Sequence, residues 1–251
     1  MICLPAHNPV AVAATAAIQS GNVPGLRQLL NDDPQLATVR VGDASPDGIS
    51  RTLLHVATDW PGHFPEVAAS IHFLVYAGAD VNARCSGAHR ETPLHWAASS
   101  NDVAALDALL DAGADIEASG SVLGGGPPLS DAVGFAQWDA AHRLVERGAH
   151  TTLADAATLG LQARLEAYFD GAHAAPAPGV VSRAFWGACH GGQPAAAEYL
   201  LARGANINWL PDWEAATPLD AAERRAAARL AAWLRGRGAR SAADLASSSG
   251  H

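Results

Sequence analysis

One segment type returns along this chain at a fixed spacing, and that recurrence constrains the fold more than any other feature. Thr92-Pro93-Leu94-His95-Trp96-Ala97-Ala98 is followed by a helix-patterned stretch and then by Leu109-Leu110-Asp111-Ala112-Gly113-Ala114-Asp115. Thr92 and Gly113 lie 21 positions apart, and the same distance separates Pro127 from Gly148, Arg183 from Gly204 and Thr217 from Gly238. Thr52 and Gly78 lie 26 apart, so that copy carries an insert of five residues. Two weaker copies, near residues 16–34 and 153–169, complete a set of seven over about residues 10–240. Units this short cannot bury an apolar face alone, so neighbours must stack into one continuous core.

Local chemistry gives each unit a helix, a turn and a second helix. Thr at the start accepts backbone N–H bonds, and Pro follows at the first turn, where a missing N–H is harmless. The small pair Ala97-Ala98 lets helices approach closely. Gly113 and its counterparts end the second helix in the left-handed conformation. The segments TPLHWAA and AGADVNA resemble the ankyrin-repeat family, most specifically in the central copies. The segment TLLHVATDWPGHFP is similar to bacterial ankyrin-repeat proteins of no assigned activity. The resemblance implies an all-α ankyrin-repeat solenoid of about seven helix-turn-helix repeats with short irregular fingers between them. It spans 1–251 as one domain, with a tail, 241–251, expected to fray. It also implies that His55 and His95 bond backbone between repeats, and that the array is a scaffold binding another protein through its concave face.

Composition narrows the partners. The formal net charge is -9, and all 16 basic residues are Arg. Such a balance argues against nucleic acid or an anionic membrane as partner. Residues 217–240 run the other way, at about +4, which reads as a polar capping repeat or a basic docking patch. Cys3, Cys85 and Cys189 are far apart and form no CxxC, so neither a disulfide framework nor a zinc knuckle is expected, and a cytoplasmic location is. No cofactor and no metal site is expected: His55, His63 and His190 lack ligand spacing. Gly124-Gly125-Gly126 lacks the context of a phosphate loop, and Cys189 sits at a small buried position.

Function is sought where the copies differ, at the positions facing the groove. These hold Asp59, Trp60 and His63 in the insert, Trp96 in the next copy, Asp131 and Phe135 in the fourth, Asp155 in the fifth, Trp186 and His190 in the sixth, and Trp213 in the last finger. Trp186 stands where the structural His would be. Asp131 and Asp155 read as occupants of one shared position in consecutive repeats. Each residue carries two readings. The tryptophans line a ligand or fill gaps in an Ala-rich core. Each Asp contacts a ligand, as acid or base, or caps a shifted helix start beside Ser130 or Thr151-Thr152. The runner-up to a protein scaffold is therefore a small-molecule pocket or enzyme using Asp131 or Asp155, with the stiff insert as a lid. Enclosure of these acids would raise at least one pKa.

Overall fold

A computed structural model describes residues 2–45, 48–87, 89–171 and 174–248. The chain forms two compact units, divided between His150 and Thr151.

The first unit holds four helix pairs: α1 (Pro9–Gln19) with α2 (Val23–Asp32), α3 (Leu53–Thr58) with α4 (Val67–Tyr76), α5 (Pro93–Ser99) with α6 (Val103–Asp111), and α7 (Pro128–Gly134) with α8 (Trp138–Glu146). First helices pack on first helices, α1 on α3, α3 on α5 and α5 on α7; second helices follow suit from α2 to α8. Leu54, Ile71, Leu94, Leu106, Leu129 and Leu144 are buried between them, and Ala97 and Ala98 are sealed, which is the close approach their size permits.

The second unit holds α9 (Leu153–Thr158) with α10 (Gln162–Ala167), α11 (Pro178–His190) with α12 (Pro194–Leu201), and α13 (Pro218–Arg224) with α14 (Ala228–Gly236). Its core centres on Phe185, with Leu153, Leu165, Leu200, Leu219 and Leu234. The described residues thus contain the seven helix pairs that the spacing predicts.

Helix starts and ends follow the expected chemistry. Thr52, Thr92, Thr152 and Thr217 are N-caps, each paired reciprocally with the third helical residue. Gly113 and Gly148 adopt φ of 91° and 102° at the ends of α6 and α8. The turn inside each pair also uses a left-handed residue. It is Asn101 in one pair, but Ala136 and Ala226 in two others, where the side chain makes that conformation costly.

Three features depart from the expectation. A small sheet adds strands to the helical array: β1 (Cys3–Leu4) runs parallel to β2 (Arg40–Gly42), which pairs antiparallel with β3 (Ser50–Thr52). Its strands are too short to show a period, and Arg40 ties them to Ser50 and to the carbonyl of Arg84. Beyond α14, the tail forms helix α15 (Ala242–Ser248), started by reciprocal bonds between Ser241 and Asp244. The remaining tail residues, 249–251, lie outside the described residues. Finally, α11 begins at Pro178, ahead of the repeat start read at Arg183.

Candidate functional site

The buried histidines define how repeats are joined. In α3, His55 accepts the Thr52 N–H on Nδ1, and its Nε2–H donates to the carbonyl of Glu91 at 3.1 Å. In α5, His95 does the same with Thr92 and with the carbonyl of Gly126 at 3.2 Å. Both acceptors immediately precede the start of the next repeat. Burial pushes the His55 pKa down to about 3 and that of His95 to about 4, so both rings stay neutral.

Trp186 does the same job in the second unit. Its Nε1–H donates at 2.9 Å to the carbonyl of Ala216, the residue before Thr217. It stacks on His190 at 5.2 Å, and its other neighbour is Trp213, edge-on at 5.7 Å. Arg183 covers Trp213, and Trp209 leans on it. Trp186 and His190 are buried in this cluster, while Trp213 is half exposed. A cavity of about 570 Å³ opens beside it, between Leu210–Ala215 and α15. Most of the arginines of residues 217–240 are engaged locally: Arg224 with Glu214, Arg225 with His190, Arg235 with Glu223, Arg237 over Trp233 and Arg240 with the Asp244 carbonyl.

The two acids singled out by the sequence occupy different positions. Thr152 caps α9, so Asp155 is the third residue of its helix, the place of His95 and Asp220. Its carboxylate accepts the Thr152 N–H at 2.8 Å and the Thr152 hydroxyl at 2.7 Å. The shared position read for the two acids is therefore corrected by one residue: with Thr151 and Thr152 adjacent, only the cap geometry decides which starts the helix. Asp131 is the fourth residue of α7, the place of Trp96.

Asp131 is fully buried. Its Oδ1 accepts the Ser121 hydroxyl at 2.5 Å, and its Oδ2 has no hydrogen-bond partner. Burial pushes its pKa up to about 7, with the nearby Glu91 charge adding to the rise and the Ser121 bond opposing it. Glu91, half-buried at the base of the preceding finger, has its own pKa raised by burial and accepts the Trp96 indole N–H at 3.3 Å. Beyond Trp96, the His55 ring meets the indole edge-on at 4.9 Å, and the Arg51 guanidinium lies 5.9 Å from it while pairing with Asp59. A row therefore runs through the first unit: Asp59–Arg51, Trp96–Glu91, then Asp131–Ser121.

The insert behaves as a clasp. The His63 N–H donates to the Asp102 carboxylate at 2.6 Å, and its Nε2–H to the carbonyl of Ser100 at 3.1 Å, fastening the insert to the turn of the next repeat. Trp60 projects outward at 80% exposure, and Phe135, which ends α7, is 45% exposed. Arg51, Glu91 and Ser121 escaped the sequence reading. Arg51 and Glu91 both immediately precede a capping Thr, so comparing that position across copies would have found them.

Among the described residues, no group of three or more His, Cys, Asp or Glu is placed to hold a metal ion, and no helix is long and apolar enough to cross a membrane. Cys189 is buried with its thiol pKa pushed up.

Residues 89–118, which carry Glu91, His95 and Trp96, match the family model described as ankyrin repeat. The crystal structure of the human ASB11 ankyrin repeat domain is similar to this chain at TM-score 0.51 and 20% identity, covering 95% of this chain and 91% of that one. The fold is that of ankyrin repeats. Among curated proteins, no relative matches the sequence.

Proposed function

We propose that this chain is a non-catalytic binding scaffold that engages another protein with the inner helices of its first unit. One observation carries the reading: Trp60 and Phe135 stand exposed at the C-terminal ends of α3 and α7, the two helices on either side of α5, which carries Trp96 with Arg51 beside it. Aromatic and Arg side chains are the usual anchors of protein interfaces. The remaining reactive groups support it. Both nitrogens of His55 and of His95 are committed to the backbone, Asp155 holds a helix start, and the Cys189 thiol is sealed.

A second reading, with Asp131 acting as acid or base on a small molecule, has its pKa of about 7 in favour, which suits proton transfer near neutrality. Asp131 has no exposed surface, and the side chain bonded to it is the Ser121 hydroxyl, which supplies no second acid or base for turnover. Binding is the better-supported function.

Selection from a displayed peptide library tests the proposal. Selected peptides are expected to lose about tenfold or more in affinity, roughly 1.4 kcal/mol, to Trp60→Ala or Phe135→Ala. Because both side chains are exposed, the melting temperature should hold. Peptides that bind these variants and Trp96→Ala as well as the parent would sink the reading.

A further inference from the structure

We infer that Asp131 and Glu91 together form the recognition site for a basic side chain, a guanidinium or ammonium presented by the bound partner, and that its entry expels a proton from Asp131. The inference rests on the scaffold reading above and names the chemistry of its partner.

The geometry begins with an unpaired, buried carboxyl oxygen. Asp131 is fully buried, and its Oδ2 has no partner, whereas Oδ1 is held by Ser121. A buried polar atom left unpaired is costly, and a charge-assisted donor would relieve that cost. The second acid is near. Glu91, on the finger before α5, raises the cost of a charge on Asp131. Two carboxyl groups in mutual repulsion are both relieved by one cation between them.

The groups around Asp131 do not supply that cation. From its own side come Ser121 and the backbone of Leu123, and from the neighbouring finger comes Glu91. Arg51 is spoken for by Asp59. The indole of Trp96, bonded to Glu91, offers a face to a planar cation and already lies 5.9 Å from the Arg51 guanidinium.

The entering side chain displaces the tip of the covering finger. It closes on itself through Gly125 N–H to the Ser121 carbonyl and Ser121 N–H to the Gly126 carbonyl, and it reaches α7 through the Ser121 hydroxyl. Leu123 lies against Gly134, where a Cβ would fall 2.1 Å from its Cδ1. Gly120, Gly124 and Gly125 all sit at positive φ; Gly120 is packed on the Arg90 carbonyl, so the displacement falls at Gly124 and Gly125, where a Cβ would meet nothing within 4 Å.

In the free protein Asp131 holds its proton up to near neutrality. A bound guanidinium favours the carboxylate, so the proton leaves to solvent and the cation takes its place. Binding therefore strengthens as pH rises through the Asp131 midpoint.

The probe is N-acetyl-arginine methylamide, with the uncharged citrulline analogue as control. The Asp131 carboxyl is followed by carbon NMR and the Trp96 indole N–H by proton NMR. The arginine amide is expected to lower the Asp131 midpoint by one pH unit or more, a tenfold coupling, and to shift the Trp96 signal. The citrulline amide should do neither. Asp131→Asn should abolish the Trp96 response, and Glu91→Gln should weaken it. Calorimetry in buffers of different ionisation enthalpy should show roughly half a proton released per ligand between about pH 6 and 7 for a one-unit shift, and more for a larger one. Identical effects of both amides, or an Asp131 midpoint indifferent to the arginine amide, would overturn the inference. So would selected peptides that depend on Trp60 and Phe135 but contain no basic residue, and that outcome would leave the scaffold reading standing.

Discussion

The third repeat and the sixth solve one problem with different side chains. In α5, His95 closes its own helix start through Nδ1 and reaches the next repeat through Nε2. In α11, Trp186 reaches the equivalent carbonyl through Nε1 but has no second nitrogen for a cap. That helix instead starts earlier, at Pro178. Its small residues let it lie against α9: a Cβ on Gly191 would fall 1.8 Å from the Thr158 carbonyl oxygen, and one on Gly187 2.5 Å from the Thr158 hydroxyl. The acceptor position is what the repeat preserves, and the donor is free to change if the surrounding packing changes with it.

The largest effect should come from that packing. Gly191→Ala places a methyl group against fixed backbone and should cost about 3 kcal/mol in denaturant unfolding. Gly113→Val, at a helix end with open space around it, should cost only about 1 kcal/mol through its positive φ. Equal losses would mean that α11 does not rest on α9 as closely as the structure has it.

The two joining side chains can then be ranked. His95→Phe strands the Thr92 N–H and leaves the Gly126 carbonyl with the Ser121 N–H alone, whereas Trp186→Phe strands only the Ala216 carbonyl. The first should cost about 3 kcal/mol and the second about 2 kcal/mol, read from unfolding curves near pH 7. The reverse order would break the parallel.

Asp131 and the joining histidines should respond to pH with opposite sign. Asp131 keeps its proton in the fold to about 7 but loses it near 3.8 when unfolded, so its contribution falls as pH rises from about 4 to 7. The histidines stay neutral in the fold and gain a proton when unfolded, so theirs falls as pH drops below 6.5. Asp131→Asn should match the parent near pH 4 and exceed it by on the order of 2 kcal/mol above pH 7. A constant difference across that range would remove the titration from Asp131.

The smallest effect concerns the turns inside the pairs. Ala136→Gly and Ala226→Gly should each raise stability by about 0.5–1 kcal/mol by relieving a left-handed Ala, while Asn101→Gly should lower it by about 1 kcal/mol, because the Asn101 side chain accepts the Ala140 N–H and donates to Asp139. Thermal melts of the single variants would resolve the order.

Much of this was legible in the chain. The Thr caps, the Gly ends and the Leu spacing act within a few residues, so their chemistry reads directly from the string. Asp131 could be picked out as an acid at an inner-helix position for the same reason. The place of Asp155 could not be read, because two adjacent Thr residues offer two helix starts one residue apart. Nor could the roles of Trp186 and His63, whose partners Ala216 and Ser100 lie 30 and 37 residues away.

Sequence alone determined that the chain is a series of seven helix pairs, because a 21-residue spacing of cap, apolar face and terminal Gly admits little else. Tertiary structure decided which polar atoms find a partner. It tied His55, His95 and Trp186 into carbonyls of the following repeat, and it left Asp131 Oδ2 buried without one. Pairing depends on distance and burial in the folded stack, and no local pattern of residues encodes either.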